Sequence, residues 1–299
     1  MFLPKALLVS VLSALVCGVI GCHVVLRGMA FIGDAIAHAV FPGIAIAFAL
    51  QASVFLGGAV AGAVVAGVVA LFSQRRRVKE DTLIGIFFAA AFAGGLVIIS
   101  RVDGYTASLT SFLFGSITGV TDSDIVTVAV VGFAVVLLVL LLTKELVAVS
   151  LDRESARAMN LPVLALDLVL YLAVTAAVVI SVRTVGNILV LALLVTPAAT
   201  ARLLTDKLGV MMALAAGIGA IGSVLGVYIS WAADVPAGAA IVLTVTAIFF
   251  VAWFLAPKQG LLTSMWRARA GNREALSDAA RHQSSQQTKI NSSEVRINQ

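Results

Sequence analysis

The sequence predicts an all-α, polytopic membrane protein with eight or nine transmembrane helices and a polar cytoplasmic C-terminal tail. Three observations carry this expectation. Of 299 residues, 61% are hydrophobic and only 12% are charged, about half the charged share of an ordinary soluble domain. The mean hydropathy is +1.09, more apolar surface than a water-soluble fold of this length can hide. Apolar runs long enough to cross a bilayer, about 20 residues each, recur from end to end. The net charge of +5 does not point to nucleic acid. Its basic residues lie in short connectors and in the tail, the distribution of the positive-inside rule.

The first run, Ala6 to Leu26, follows Lys5 and is span-length, with no A-x-A site closing it. It reads as a retained helix rather than a cleaved signal. It holds both cysteines, Cys17 and Cys22. They make no disulfide framework or zinc-finger spacing and read as small apolar fillers. Arg27 marks a tight turn, and Gly28 to Leu50 forms the second span. Val54 to Phe72 is the third, and its glycines and alanines allow close backbone approach. The basic run Arg75-Arg76-Arg77 then places a connector in the cytoplasm. Thr82 to Ser100 is the fourth span. The mixed segment 101–124 follows on the far side, with an apolar patch, Ser111 to Gly115, read as a short interfacial or re-entrant helix. Ile125 to Leu142, Leu164 to Val182, Asn187 to Leu204, Gly209 to Ile229 and Pro236 to Leu255 complete nine spans; eight follow if one stretch is re-entrant. Two regions result: a transmembrane domain over 1–256 and a polar tail over 257–299, disordered from about 271.

Thr143 to Pro162 is the longest polar interruption before the tail. It reads either as a solvated loop or as two short helical turns that dock a cytoplasmic partner. No G-x-x-x-x-G-K-[ST] phosphate loop occurs in the sequence. Transport driven by ATP would therefore use an ATPase on another polypeptide, and the chain itself is not expected to be an enzyme.

Asp34 and His38 stand out within the second span. A charged side chain in a membrane helix costs about 3 kcal/mol on insertion scales. Spacing of four puts both on one helical face. A carboxylate and a neutral imidazole so placed can clasp a divalent cation, whose charge offsets the desolvation of Asp34. The alternative is a His–Asp hydrogen bond that locks helices together. Pro42 and Gly43 are expected to loosen the helix beside the pair. His23 reads as a core histidine, and Asp167 as an acid that reaches the interface. Thr196-Pro197 reads as a kink. Asp103, Asp122, Asp124 and Asp234 read as solvated acids near the outer ends. Three functions fit these residues: a permease worked by a separate ATPase, a gradient-driven secondary transporter with Asp34 as proton carrier, and a membrane scaffold. The last leaves the buried pair unexplained.

LRGMAFIGDAIAHAVFPGIAIAF (26–48) resembles the signature of the manganese/zinc/iron family of ABC transporter permeases. SFLFGSITGV, LDRESARAMNLPVLALD and VGNILVLALLVTPAATARLL match further family stretches in the same order, so the resemblance covers about Ala6 to Leu255. It implies a permease subunit of an ATP-driven importer in a prokaryotic cell membrane. It further implies a homodimer, two cytoplasmic ATP-binding subunits and an extracytoplasmic solute-binding protein. The cargo would be Mn²⁺, Zn²⁺ or iron, with no permanently bound cofactor, and HAVFPG is closer to the manganese-type members. By the same resemblance Asp34 and His38 line the metal path, and two copies would face each other across one pore. Asp152, Arg153, Glu154, Ala156, Arg157, Met159 and Asn160 match the segment that couples to the ATPase.

Overall fold

The structure is a computed structural model, and it describes residues 3–74, 80–100 and 120–256. The apolar patch Ser111 to Gly115, the acid Asp103, the basic residues 75–79 and the polar tail lie outside the described residues. All regular structure among the described residues is helical. The helices are α1 (Leu3–Leu26), α2 (Ile32–Ala49), α3 (Val54–Ser73), α4 (Glu80–Ile99), α5 (Asp122–Leu141), α6 (Thr143–Leu151), α7 (Arg153–Ala158), α8 (Val163–Val185), α9 (Asn187–Leu204), α10 (Leu208–Ala233) and α11 (Ala237–Leu255). The chain divides into two units, 1–250 and 251–299; of the second, only 251–256 are described.

Seven of these helices, α1, α3, α5, α8, α9, α10 and α11, are long and apolar enough to cross a membrane. The apolar parts of the other two expected spans are shorter, Ile32–Ile44 and Ile84–Ile98. Large side chains on several helices face outward: Phe133 is 70% exposed, as is Leu243. In water such surfaces would associate; in hydrocarbon they are at home.

α1 is the axis of the first unit and packs on α5, α8, α9 and α10. Small residues set how close these helices come. A Cβ at Gly21 would overlap the Leu194 carbonyl of α9, so α1 and α9 meet backbone to backbone. α2 lies between α3, α4, α8 and α9. Its Gly43 faces Gly57 of α3, and a side chain on either would strike the other's carbonyl. α2 stays helical through Pro42 to Ala49, although Pro42 has no N–H to offer the His38 carbonyl, and Gly43 serves close packing with α3. α9 likewise continues through Pro197.

The helix ends follow their sequence. Thr121 and Asp124 form a reciprocal capping box on α5, and Lys5 pairs with Asp122 at 2.6 Å. Asp124, expected to be simply solvated, therefore helps to fix a helix start, whereas Asp122 remains an exposed acid. The connector folds as α6 and α7. Asp152 caps α7, accepting from Glu154 N at 2.9 Å and Ser155 Oγ at 2.5 Å. Asn160, at φ +59°, supplies the left-handed residue that ends a helix, and Pro162 follows.

Candidate functional site

Asp34 lies in the first turn of α2, where the helix dipole favours a negative charge. His38 Nε2 lies 3.4 Å from Asp34 Oδ1. The pair is only partly covered: the Asp34 side chain is 27% exposed and that of His38 13%. The imidazole is held by α4. Phe88 and Phe92, one turn apart, have nearly parallel rings, and each meets His38 edge-on at 4.8 Å. This wedge fixes the ring plane through aromatic quadrupole contacts. It aims Nε2 at the polar side, while Nδ1 is buried without a hydrogen-bond partner among the described residues.

The structure adds a residue that sequence reasoning missed. Asn187, 2% exposed, opens α9 directly after Gly186, whose φ is +86°. Its Nδ2 stands 3.2 Å from His38 Nε2. Its Oδ1 is buried and has no partner among the described residues. His38 Nε2 thus stands close to both the Asp34 carboxylate and the Asn187 amide, whose oxygens have acceptor capacity to spare. The signal was present in the sequence: a lone amide inside the apolar stretch VGNILV. Its apolar surroundings gave no reason to pair it with His38, 149 residues away. No group of three His, Cys, Asp or Glu side chains able to hold a metal ion occurs among the described residues.

The other polar positions sort differently. His23 is fully buried in α1, and neither ring nitrogen has a hydrogen-bond partner among the described residues. Cys17 and Cys22 are buried free thiols. Asp167 does not reach an interface, which is a correction: its side chain is wholly buried against two arginines and a glutamine. Arg27 does mark the turn after α1, and its side chain, 4% exposed, is bonded to Asp167. Of the connector residues, Ala156 is buried and Arg153 half-buried, whereas Asp152, Glu154, Arg157, Met159 and Asn160 are exposed.

A bundle of bilayer-length apolar helices with a partly covered carboxylate, imidazole and amide defines a polytopic membrane protein with a polar cluster among its helices. The comparisons agree in class. The chain belongs to the ABC 3 transport family, whose model matches residues 1–256, and it is a multi-pass permease of a prokaryotic cell membrane. It is 42% identical over 268 residues to the manganese transport system membrane protein MntC of Halalkalibacterium halodurans, covering 90% of this chain and 92% of that one. It is 36% identical over 272 residues to the chelated iron transport system membrane protein YfeC of Yersinia pestis, covering 91% and 92%. Among solved structures it is similar to PsaBC from Streptococcus pneumoniae in complex with Fab, with a TM-score of 0.77 and 38% identity over 87% of this chain and 93% of that one.

Proposed function

We propose that this chain is the membrane subunit of an ATP-driven importer of a divalent transition metal, manganese foremost, and that the ion passes between Asp34, His38 and Asn187. The observation that carries the reading is the 3.4 Å approach of His38 Nε2 to Asp34 Oδ1 on a half-open face of α2. Oxygen and nitrogen donors together suit Mn²⁺ and Fe²⁺ with added oxygen ligands, or Zn²⁺ in four-coordinate form. Relatives named for manganese and for chelated iron transport support the same cargo class.

Among the described residues one copy brings three donor side chains here, and octahedral Mn²⁺ or Fe²⁺ takes six ligand atoms. A second copy across a two-fold axis would complete the set, so the working unit is a homodimer. Counting α2 and α4 with the seven long helices gives nine crossings per chain. α2, with 18 residues, spans about 27 Å at 1.5 Å per residue, close to the hydrocarbon thickness.

The exposed side of α7, with Glu154, Arg157 and Met159, docks on a separate cytoplasmic ATPase, two copies per dimer, and an extracytoplasmic solute-binding protein delivers the ion. Asp34→Ala and His38→Ala are each expected to abolish metal uptake while the complex still assembles. Wild-type uptake by an assembled double variant would remove the pair from the path. Gradient-driven flux through the chain alone, without any ATPase, would replace this reading by the secondary-transporter one.

A further inference from the structure

Asp167 lies near the start of α8 and is completely buried. A buried carboxylate needs partners, and three other parts of the chain supply them. Arg27 Nη1, from the turn between α1 and α2, donates to Asp167 Oδ1 at 2.6 Å. Gln74 Nε2, at the end of α3, donates to Oδ2 at 3.0 Å. Arg153 Nη2, on α7, donates to the same Oδ2. The connector is tied in three times more. Arg153 Nη1 donates to the Ser73 carbonyl at 3.3 Å, and Arg157 Nη2 donates to Gln74 Oε1 at 2.7 Å. Arg27 Nε also donates to Ser150 Oγ in the last turn of α6, at 3.0 Å. The connector thus reaches Asp167 directly through Arg153 and by way of Arg157 and Gln74, and it reaches Arg27 through Ser150.

We propose that Asp167 is a positioning residue, the joint through which movement of the connector helix α7 reaches the α1–α2 turn and so the Asp34–His38 helix. This rests on the transport reading above.

Two features argue for a joint rather than a rivet. First, an apolar cluster of equal volume would serve stability as well or better, yet among the described residues two arginines share the Asp167 carboxylate. If the connector moved away with Arg153, Arg27 and Gln74 would still partner the buried acid. Second, the two arginines sit on the two elements that must move together. Arg153 is carried by α7, whose opposite face is open to the cytoplasm. Arg27 immediately precedes Gly28, at φ +69°, and the short turn into α2, whose first helical turn bears Asp34. A shift of α7 therefore reaches this turn through three side chains in series, Arg153, Asp167 and Arg27.

The test uses proteoliposomes that hold the permease with its ATP-binding subunit and a Mn²⁺-loaded solute-binding protein. ATP hydrolysis and Mn²⁺ uptake are measured on the same vesicles. If the wild-type complex shows no ATP-driven uptake, the transport reading fails, and the joint with it. Given a working wild type, Asp167→Asn and Arg153→Gln are each expected to assemble normally and to lower the Mn²⁺ moved per ATP at least tenfold. The double variant should be no worse than either single one, because both break the same link. Arg153 is partly exposed, so its variant keeps the test decisive if Asp167→Asn misfolds. An unchanged ratio of uptake to hydrolysis in Arg153→Gln, or uptake and hydrolysis falling together in proportion to folded protein, would overturn the joint. So would a double variant whose losses multiply.

Discussion

Replacing Asn187 by leucine separates a residue that holds the fold from one that serves the ion. Asn187 is 2% exposed. Its amide makes one polar contact, to His38 Nε2 at 3.2 Å, and leaves Oδ1 buried without a described partner. An unsatisfied buried polar group costs about 1–3 kcal/mol, and a typical net hydrogen bond returns about 0.5–1.5 kcal/mol. The balance is near zero or unfavourable, so Asn187 as it stands does little for stability. Leucine has the same branched heavy-atom skeleton and no polar atom to strand. Asn187→Leu should therefore melt at the wild-type temperature or higher, by up to about 1 kcal/mol of added stability. Uptake should move the other way. Loss of a metal ligand's partner commonly costs about 10–100-fold in metal affinity, and loss of a ligand at least as much. The assay pairs a thermal melt of the detergent-purified protein with radiolabelled Mn²⁺ uptake in cells. A stable variant with wild-type uptake would refute the reasoning, as would a variant destabilised by 2 kcal/mol or more.

Three further outcomes follow from the geometry. Gly43→Val drives a side chain into the Gly57 carbonyl; overpacking costs about 1–3 kcal/mol, so the purified protein should melt lower, and a wild-type melt would count against the backbone contact of α2 with α3. Thr121→Ala removes the capping box of α5 and should lower stability by about 1 kcal/mol, measured by thermal melt, without changing uptake. Glu154→Lys reverses a charge on the exposed face of α7; stability should shift by no more than about 0.5 kcal/mol, while hydrolysis measured in vesicles runs on without uptake.

The helices were legible because the bilayer demands a simple pattern. A run of about 20 apolar residues has little choice but to be a helix, and α1, α3, α5 and α8 to α11 begin and end within a few residues of their expected bounds. The pair Asp34–His38 was legible because both members lie on one helix, where spacing alone sets distance. What escaped were contacts between elements far apart in the chain. Asn187 meets His38 only because Gly186 turns α9 back beside α2. Arg27 looked like a topological marker because sequence shows a charge in a turn and not what faces it. Pro42 suggested a break, yet neighbouring helices on several sides hold α2 continuous.

Asp34 and Asp167 show most clearly what sequence leaves unsaid. Each is an acid within the first turns of an apolar helix, and by composition nothing separates them. Their surroundings do. Asp167 is fully buried, and three donors from three separate segments fill its two oxygens. Asp34 is 27% exposed, and the neighbour the structure gives it is a histidine at 3.4 Å, longer than a good hydrogen bond. A carboxylate whose lone pairs are taken cannot also bind a passing ion without first losing its partners. One with lone pairs to spare, next to a nitrogen donor and an amide with an idle oxygen, can exchange ligands at low cost. Conduction needs a site favourable enough to enter and weak enough to leave. The chain thus divides its two acids by how completely it dresses them: donors from three segments fill the oxygens of Asp167, and Asp34 is left partly open, as the proposed metal path requires.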